Sequence, residues 1–185
     1  MQQSLKIDRY NNDFQVGNIV TLGNYCGPIK WQVLEVNDKK ALLISKHILF
    51  RMAFDTQNVG TWKTSSLRKF LNENFYENCF SKAEKSRIDL SKISVNSGDT
   101  EDRLFLLSID EVNKYFNSDR ERIAASLDGQ ESWWWLRCRG NYDRYAAHVN
   151  RGGNVYVDGG VYDDVGRANY YDGGVRVALQ WNLES

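Results

Sequence analysis

The composition of one 32-residue segment, residues 141–172, constrains the fold of this chain more than any other feature of the sequence. Short pieces that carry Val and Ala alternate there with glycines, a pattern that predicts strands joined by tight turns. The segment contains six Tyr, five Asp, four Asn and five Gly, but no Lys, Glu, Gln, Met, Trp, Ser or Thr. Lys, Glu, Gln, Met and Trp together make up roughly a fifth of an ordinary soluble sequence, so about six would be expected. Chance is therefore a poor explanation for the absence of these five residue types.

The residues that are present and absent follow the genetic code. Asn, Tyr, Asp and His share codons with A in the middle and a pyrimidine in the third place. Gly, Val, Ala and Arg are reached from Asn codons by changes in the first two bases, whereas Lys, Glu, Gln, Met and Trp are not. The segment is thus a candidate for targeted adenine mutagenesis, in which a fixed scaffold presents a deliberately varied binding surface.

Length and charge narrow the class of protein. A chain of 185 residues, 42% of them hydrophobic, can bury a core, and we expect a single domain over residues 1–185. The 24 basic residues balance the 24 acidic ones, which disfavours nucleic acid and anionic membranes as partners. No signal peptide or transmembrane segment is apparent, so we expect no membrane insertion, and the cellular location stays open.

The three cysteines suggest neither a disulfide framework nor a metal centre. Cys26, Cys79 and Cys138 are far apart in the sequence and lack the spacing of zinc ligands. We expect reduced, buried thiols, with no metal and no cofactor.

Helices are predicted in the first two thirds of the chain. Ile29 to Val36 and Ala41 to Ile44 form two apolar runs around a polar turn, which indicates a hairpin. Thr64 or Ser65 can cap a helix that places Leu67, Phe70, Leu71 and Phe75 on one apolar face. Capping boxes at Ser81–Glu84 and Ser108–Glu111 predict two more short helices, the second preceded by a strand at Leu104–Leu107. Residues 96–102 are polar and predict a loop.

Strands dominate the remainder. Residues 133–137 and 175–179 predict strands, and Ala146–Val149 with Asn154–Val157 predict a hairpin around Asn150–Gly153, followed by a second turn at Gly159–Gly160. The expected fold class is α+β, with a twisted, mainly antiparallel sheet and two to three short helices.

Four blocks carry a resemblance to a known family. They are Ile-x-Trp-x-Val-Leu at 29–34 with Ala-Leu-Leu-Ile-Ser-Lys at 41–46, Trp-x-x-Ser-x-Leu-Arg-x-x-Leu-Asn at 62–72, Phe-Leu-Leu-Ser at 105–108, and Trp-Trp-Leu-Arg at 134–137 leading to Gly-Val-Arg-x-Ala-Leu at 174–179. The chain resembles a large bacterial and phage domain family of unassigned function, marked by Trp-Trp-Leu-Arg-Ser and Gly-Val-Arg-Pro-Ala-Leu blocks. Cys138 and Val177 depart from the usual Ser and Pro.

The resemblance implies a C-type-lectin-like fold. Members of the family include variable proteins of diversity-generating retroelements, whose C-terminal region is rewritten through an error-prone reverse transcriptase. On the family pattern the scaffold positions are Gly140, Ala146, Ala147, Val149, Gly153, Val155, Gly159, Gly174, Val175 and Arg176. The candidate ligand-binding positions between them are Asn141, Tyr142, Asp143, Tyr145, His148, Asn150, Arg151, Tyr156, Asp158, Tyr162, Asp163, Asp164, Asn169, Tyr170, Tyr171 and Asp172.

The chemistry of these residues suits binding. Tyr offers a rigid ring with a polar tip, and Asn, Asp and Gly supply adaptable hydrogen bonds, the mixture found in antibody paratopes. Strand alternation predicts that His148 and Tyr156 point outward while Ala147, Val149, Val155 and Val157 face inward.

Other interpretations are weaker. Trp133, Trp134 and Trp135 could line a sugar platform, although consecutive strand residues face opposite ways and core packing is favoured. Asp158, Asp163, Asp164 and Asp172 could collect around calcium, yet solvated turn aspartates are more common. His47 has no nucleophile nearby in sequence and is interpreted as structural. Arg residues interleaved with Tyr resemble a single-stranded nucleic acid surface, but three Arg against five Asp leave the segment with two net negative charges.

These observations predict a non-catalytic, receptor-like protein whose diversified C-terminal surface recognises an unknown protein or cell-surface ligand. A fixed glycan-binding domain is the alternative within binding. An enzyme of the formylglycine-generating type, which needs suitably placed redox or metal-binding cysteines, is the alternative from another class. The oligomeric state is left open.

Overall fold

The chain folds around two β-sheets. A computed structural model describes residues 13–56, 61–95, 98–142, 144–160 and 172–184. The first sheet has the order β1-β2-β3-β13, with antiparallel neighbours throughout. Its strands are β1 (Ile19–Asn24), β2 (Pro28–Val36), β3 (Lys40–Ser45) and β13 (Ala178–Asn182).

The predicted β2–β3 hairpin is confirmed. Its polar turn closes because the side-chain oxygen of Asn37 accepts hydrogen bonds from the backbone amides of Lys39 and Lys40.

The second sheet carries the candidate binding segment. Its order is β11-β10-β9-β12-β4, and all of its pairs are antiparallel except the parallel pair of β12 and β9. Its strands are β4 (Phe50–Met52), β9 (Trp134–Arg139), β10 (Tyr145–Val149), β11 (Val155–Gly160) and β12 (Gly173–Val175). Two further pairs are small: β5 (Ser91–Ile93) with β6 (Thr100–Asp102), and β7 (Ala124–Ala125) with β8 (Glu131–Ser132).

The helices are short, and three of them begin at the caps that the sequence predicts. A 3-10 turn (Trp62–Thr64) leads into α1 (Ser66–Phe70), a π-helical turn (Leu71–Phe75) and α2 (Tyr76–Cys79), followed by α3 (Lys82–Lys85), α4 (Ile109–Tyr115) and α5 (Asp119–Arg122). Ser65 is the cap of α1, because its side chain accepts from the amide of Arg68. Both predicted capping boxes are present at the starts of α3 and α4. The fold class is α+β with mostly antiparallel sheets, as predicted.

Trp side chains fill the core between these layers. Trp31, Trp134 and Trp135 are completely buried, and Trp62 and Trp181 nearly so. Two segments connect the first sheet to the second: the segment between β3 and β4, and the segment between β12 and β13. These two segments run side by side. Backbone hydrogen bonds from Ser45 to Val177 and from Leu49 to Val175 fix this crossing.

Several local predictions are wrong, each because tertiary contacts decided the outcome. Leu104–Leu107 is buried but forms only a two-residue bridge, Phe105 with Ala178, since the segment is bonded to Asn72 of the π-helical turn and to β9 instead of a continuous strand. Thr100–Asp102 is strand β6 and not loop, because Ser91–Ile93 pairs with it. Gly159 and Gly160 continue β11, where they pair with Ala146 and Tyr145, instead of forming a turn.

Two side chains also differ from expectation. Phe70 is half-buried, since α1 turns it toward Phe50 and Phe75 at the margin of the core. Cys26 is exposed, because it lies at the tip of the β1–β2 turn with φ 51°, whereas Cys79 is buried and Cys138 half-buried. No helix in the described part of the chain is long and apolar enough to cross a membrane.

Candidate ligand-binding surface

A row of aromatic rings crosses strands β9, β10 and β11. Trp135 pairs with His148, and His148 pairs with Tyr156, so the three side chains lie on one face of the sheet. The His148 ring stacks on Tyr156 with the ring centroids 5.8 Å apart. Trp133 meets the His148 ring edge-on at 5.3 Å and the Trp135 ring at 4.7 Å. We call Trp133, Trp135, His148 and Tyr156 the aromatic row.

The exposure of this row increases from its centre to the sheet edge. Trp135 is completely buried and donates its indole N–H to the backbone oxygen of Met52 at 3.0 Å. Trp133 and His148 are half-buried, and Tyr156 is 44% exposed. A ligand approaching β11 would therefore meet Tyr156 first, with a rigid aromatic support behind it.

His148 has an unusual environment for a residue near the surface. Its Nδ1 atom is buried without a hydrogen-bond partner among the described residues. Burial lowers the pKa of His148, and the nearby Asp158 carboxylate opposes this effect only in part. The imidazole is consequently neutral at neutral pH and acts as part of the aromatic row rather than as a cation.

A second aromatic pair lies in the connection between β9 and β10. Tyr142 and Tyr145 contact each other edge-on with centroids 5.8 Å apart, and Tyr142 is 68% exposed. Gly140 is required there, because a Cβ atom would overlap the backbone oxygen of Val157 and the side chain of Tyr145. The glycine thus lets a tyrosine-bearing turn pack closely against β11.

The turn between β10 and β11 is anchored to a helix. Gly153 has φ +87°, and a Cβ atom on it would collide with the backbone carbonyl of Asp119 at the start of α5. Asn150 closes the turn, since its side-chain oxygen accepts from the amides of Gly152 and Asn154, each at 2.9 Å. Arg151 at the tip is exposed.

The structure brings the described candidates onto this one hairpin and its neighbouring strands. Asn141, Tyr142, Arg151, Tyr156 and Asp158 are exposed. Tyr145, His148, Asn150 and Asp172 are half-buried. The candidates Asp143, Tyr162, Asp163, Asp164, Asn169, Tyr170 and Tyr171 lie outside the described residues.

The scaffold positions that alternate with these candidates behave differently. Ala146, Ala147 and Val149 are completely buried, and Val155 and Val157 are half-buried. Side chains of β11 alternate as predicted, with Tyr156 and Asp158 more exposed than Val155 and Val157. Strand β10 departs from strict alternation, because consecutive Ala146 and Ala147 are both buried where the register shifts, and His148 is closer to the interior than expected because Trp133 and Trp135 flank it.

Side chains of the sequence motifs form hydrogen bonds that link separate segments of the chain. The buried Asp102 carboxylate accepts from the Trp62 indole at 2.9 Å, the Arg68 guanidinium at 2.6 Å and the Thr100 hydroxyl at 2.7 Å. The side-chain oxygen of Asn72 accepts from the amides of residues 103 and 104. The Trp62–Asn72 motif therefore fixes the segment that follows β6. Sequence reasoning missed Asp102, whose only signal was its place in a polar stretch.

Arg137 of the Trp-Trp-Leu-Arg motif also links separate segments of the chain. Its guanidinium forms a two-pronged ion pair with Glu111 and donates to the backbone oxygen of Leu106 at 2.8 Å. Glu111 also accepts from the amide of Ser108, so one carboxylate joins the start of α4 to β9.

A cavity of about 470 Å³ lies beside this ion pair. Trp62 and Val95 give it an apolar wall, and Ser108, Asp110, Arg137 and Arg139 supply polar groups. Its volume is within the range of small-molecule sites. Because Arg139 ends β9 two residues before Asn141, the cavity opens near the start of the candidate binding segment.

The described side chains form no metal-ligand cluster, and two of the three thiols are shielded by burial. No group of three or more His, Cys, Asp or Glu residues among them could hold a metal ion. Burial raises the pKa of Cys79 to about 11, and burial also raises the pKa of Cys138, so both thiols stay protonated at neutral pH.

Comparison with known proteins identifies the family. The model of a domain family described as a domain of unknown function, DUF6273, matches residues 38–183, and the chain belongs to this family. Searches of curated proteins and of solved structures give no match. The family match covers all the elements from β3 to β13, which include the candidate binding surface.

Proposed function

We propose that this protein is a non-catalytic, receptor-like binding protein whose C-terminal surface is diversified by retroelement-directed adenine mutagenesis. Its fold would be a C-type-lectin-like variant of the α+β architecture, and its ligand a protein or a cell-surface molecule. The observation that carries the proposal is the division of one hairpin into buried Ala146, Ala147 and Val149 and exposed Tyr156, Arg151 and Asp158. The codon pattern of residues 141–172 gains a physical meaning from this division.

Positions that tolerate replacement alternate with positions that do not. A side chain at Gly140 or Gly153 would collide with backbone, and larger side chains at Ala146 or Ala147 would have to enter a filled core. The exposed positions have no such limits. A diversifying process confined to adenine-rich codons at these positions could therefore change recognition without changing the fold.

The exposed residues suit protein recognition. A tyrosine at the centre of an interface can contribute about 2 kcal/mol or more, whereas peripheral residues often contribute little. Tyr142 and Tyr156 are large exposed rings near opposite ends of the hairpin, and each is supported by a second ring, Tyr145 or His148. Such support reduces the conformational entropy that a ring loses on binding.

The test of diversification is at the gene. The DNA flanking the gene should contain a near-copy of the segment that encodes residues 141–179, differing at adenines, beside a reverse transcriptase gene. A locus with no such repeat, and codons that do not trace to adenine changes, would contradict the proposal. The substituted codons in a positive locus should coincide with exposed positions such as Tyr142 and Tyr156 and spare Gly140 and Gly153.

A fixed ligand-binding domain is the second candidate, and the cavity beside Arg137 favours it. Its lining lies outside the candidate binding segment and includes the motif residues Trp62, Ser108 and Arg137, and its hydroxyl, guanidinium and carboxylate groups beside a Trp ring resemble the side chains that bind sugars. A glycan array with wild type, Arg139→Ala and Tyr156→Ala separates the two. Loss of a glycan signal in Arg139→Ala alone supports the fixed site.

The enzyme alternative has little chemical support. A cysteine-dependent oxidation needs reactive thiols, whereas burial raises the pKa of both Cys79 and Cys138. Cys26 is exposed at the tip of a turn. Loss of turnover on candidate substrates in Cys26→Ser, Cys79→Ser or Cys138→Ser would be needed to revive this alternative.

A further inference from the structure

Strand β1 is the open edge of the first sheet. The opposite edge, β13, is covered by two other segments of the chain. The amide of Asp89 donates to the backbone oxygen of Gln180 at 3.0 Å, and Phe105 exchanges two backbone hydrogen bonds with Ala178. Strand β1, in contrast, pairs only with β2 among the described elements. An edge of this kind presents unpaired backbone groups to a second chain.

The backbone groups of Ile19 and Thr21 point away from the sheet. The backbone oxygen of Asn18 accepts from the amide of Val33 on β2 at 3.0 Å, and bonded pairs alternate with non-bonded pairs along an antiparallel ladder. Val20 therefore bonds to β2, whereas the N–H and C=O groups of Ile19 and Thr21 face outward. No hydrogen bond from the described part of the chain reaches these outward groups.

The open stretch of β1 is bounded at both ends. The amide of Gly17 donates to the backbone oxygen of Val33 at 2.9 Å, and the amide of Gly23 donates to the Glu84 carboxylate at 2.7 Å. These two amides need no further partner. A second chain would therefore have to match only residues 19–21, where both side chains beside Val20 are exposed.

Charge distinguishes β1 from the edges of the second sheet. Residues 14–29 contain no charged side chain, although 26% of the whole chain is charged and about four such residues would be expected in a segment of this length. The edge strands of the second sheet carry exposed charges, Arg51 in β4 and Asp158 in β11. Charged side chains on an edge strand oppose pairing with another chain. Strand β1 lacks this protection.

We propose that two copies of this protein associate by antiparallel pairing of their β1 strands around a two-fold axis at Val20. Ile19 of each copy then lies opposite Thr21 of the other, so that every outward N–H and C=O group of these two residues has a partner. An uncharged strand suits pairing with itself, because identical charges placed opposite each other repel. The exposed β-branched side chains of Ile19 and Thr21 also meet across the junction.

The charge that β2 places beside this junction is compatible with pairing. Lys30 lies opposite Thr21, one strand away from the edge. The two copies of Lys30 would be separated by at least three strand spacings, about 14 Å. This separation exceeds the screening length of about 8 Å at physiological ionic strength, so their repulsion is weak.

The proposed dimer does not rest on the proposed function. Strand β1 belongs to the first sheet, whereas the candidate binding surface lies on the second. Pairing over so short a segment buries little surface, and small interfaces are usually transient. We therefore expect a weak dimer in equilibrium with the monomer. Such a dimer would display the candidate binding surface twice, which favours ligands that are repeated on a surface.

Sedimentation velocity of the full chain from about 5 µM to about 500 µM tests the proposal. The wild type should shift from monomer to dimer as the concentration rises. Ile19→Lys should raise the dissociation constant about tenfold or more, because it places like charges about 8 Å apart across the axis. Leu90→Lys is the matched control, since Leu90 is an exposed apolar residue outside β1, and this variant should associate as the wild type does.

A charge-swap experiment separates lost pairing from a folding defect. Ile19→Glu alone should be as monomeric as Ile19→Lys. An equal mixture of the two variants should form heterodimers, since opposite charges then meet across the axis. A mixture that stays monomeric at concentrations where the wild type dimerises would overturn the proposed pairing.

Amide hydrogen exchange, followed by NMR, gives a readout at single residues. The amides of Ile19 and Thr21 should exchange more slowly as the protein concentration rises, because each gains a hydrogen bond in the dimer. The amides of Gly17 and Gly23 are bonded within one copy and should not change. A wild type that stays monomeric throughout, or a dimer that leaves the exchange of Ile19 and Thr21 unchanged, would contradict the proposal.

Discussion

Two regions of this protein handle polar side chains in opposite ways. In the motif-bearing scaffold, charged groups such as Asp102 and Arg137 are buried, and each makes three hydrogen bonds, at least two of them to other segments of the chain. In the β10–β11 hairpin, Arg151 and Asp158 are exposed, and the side chain of Asn150 bonds, within the described part of the chain, to the amides of its own turn. The difference shows that the scaffold needs particular side chains, whereas the hairpin needs only particular backbone geometry and small or apolar residues on its inner face.

The largest effect is expected from removing the Asp102 carboxylate. Asp102→Ala leaves Arg68 as an uncompensated cation and the Trp62 indole without its acceptor, so unfolding free energy should fall by about 3–5 kcal/mol. Urea denaturation measures the change. Asp99→Ala is the matched control, because its exposed ion pair with Lys92 is open to solvent, and it should unfold almost as the wild type does.

Trp135→Ala tests whether the aromatic row rests on the core. Because the Trp135 ring is completely buried, its removal should cost about 3–5 kcal/mol. Phe70→Ala should cost less, since Phe70 is only half-buried at the edge of the Phe50 and Phe75 cluster. Equal losses in urea denaturation would contradict the distinction between core and margin.

Gly153→Ala tests the backbone requirement of the hairpin. A methyl group would collide with the carbonyl of Asp119 at a position with positive φ, and strain of this kind costs about 1–3 kcal/mol. Gly152→Ala is the control one residue away, where the nearest heavy atom is 3.4 Å from the added carbon. If both variants unfold at the same urea concentration, the turn is not anchored to α5.

Protonation of His148 should weaken the fold at mildly acidic pH. Burial holds its pKa below the ordinary value of 6.5, so the neutral form contributes stability above about pH 6.5. This contribution is lost as the pH falls through the lower pKa of the folded state. Urea midpoints of His148→Asn between pH 7.5 and pH 5 should therefore fall less than those of the wild type.

His47 must be controlled in that experiment, since burial lowers its pKa as well. His47→Asn should remove a separate part of the pH dependence, and the double variant should be the least sensitive to pH. A His148→Asn curve parallel to the wild-type curve would show that the imidazole is not held in a desolvated site.

The smallest effects are expected at exposed tyrosines. Tyr142→Ala should change the unfolding free energy by no more than about 0.5 kcal/mol, as for most surface substitutions. Tyr156→Ala should cost slightly more, up to about 1 kcal/mol, because its ring stacks on His148. A large loss at both positions would place them in the scaffold and remove the basis for a variable surface.

Local signals in the sequence were sufficient for much of the fold. Ser81 and Ser108 cap their helices as predicted, and the glycine-rich turn at 150–153 closes a hairpin as predicted. These features succeed because hydrogen bonds between residues two to four apart decide them. Gly159 and Gly160 misled the prediction, since a neighbouring strand can pair with glycines that would otherwise turn.

What the sequence determined by itself was the α+β class, the alternation of inner and outer residues in the hairpin, and the compositional signal of residues 141–172. Only the tertiary structure decided which polar groups form hydrogen bonds between segments that are distant in the sequence. Asp102 and Trp62 are 40 residues apart, Arg137 and Glu111 are 26 apart, and Arg176 reaches Ser45 across 131 residues. Contacts over such separations depend on how the sheets cross and pack, because no local backbone preference brings these residues together.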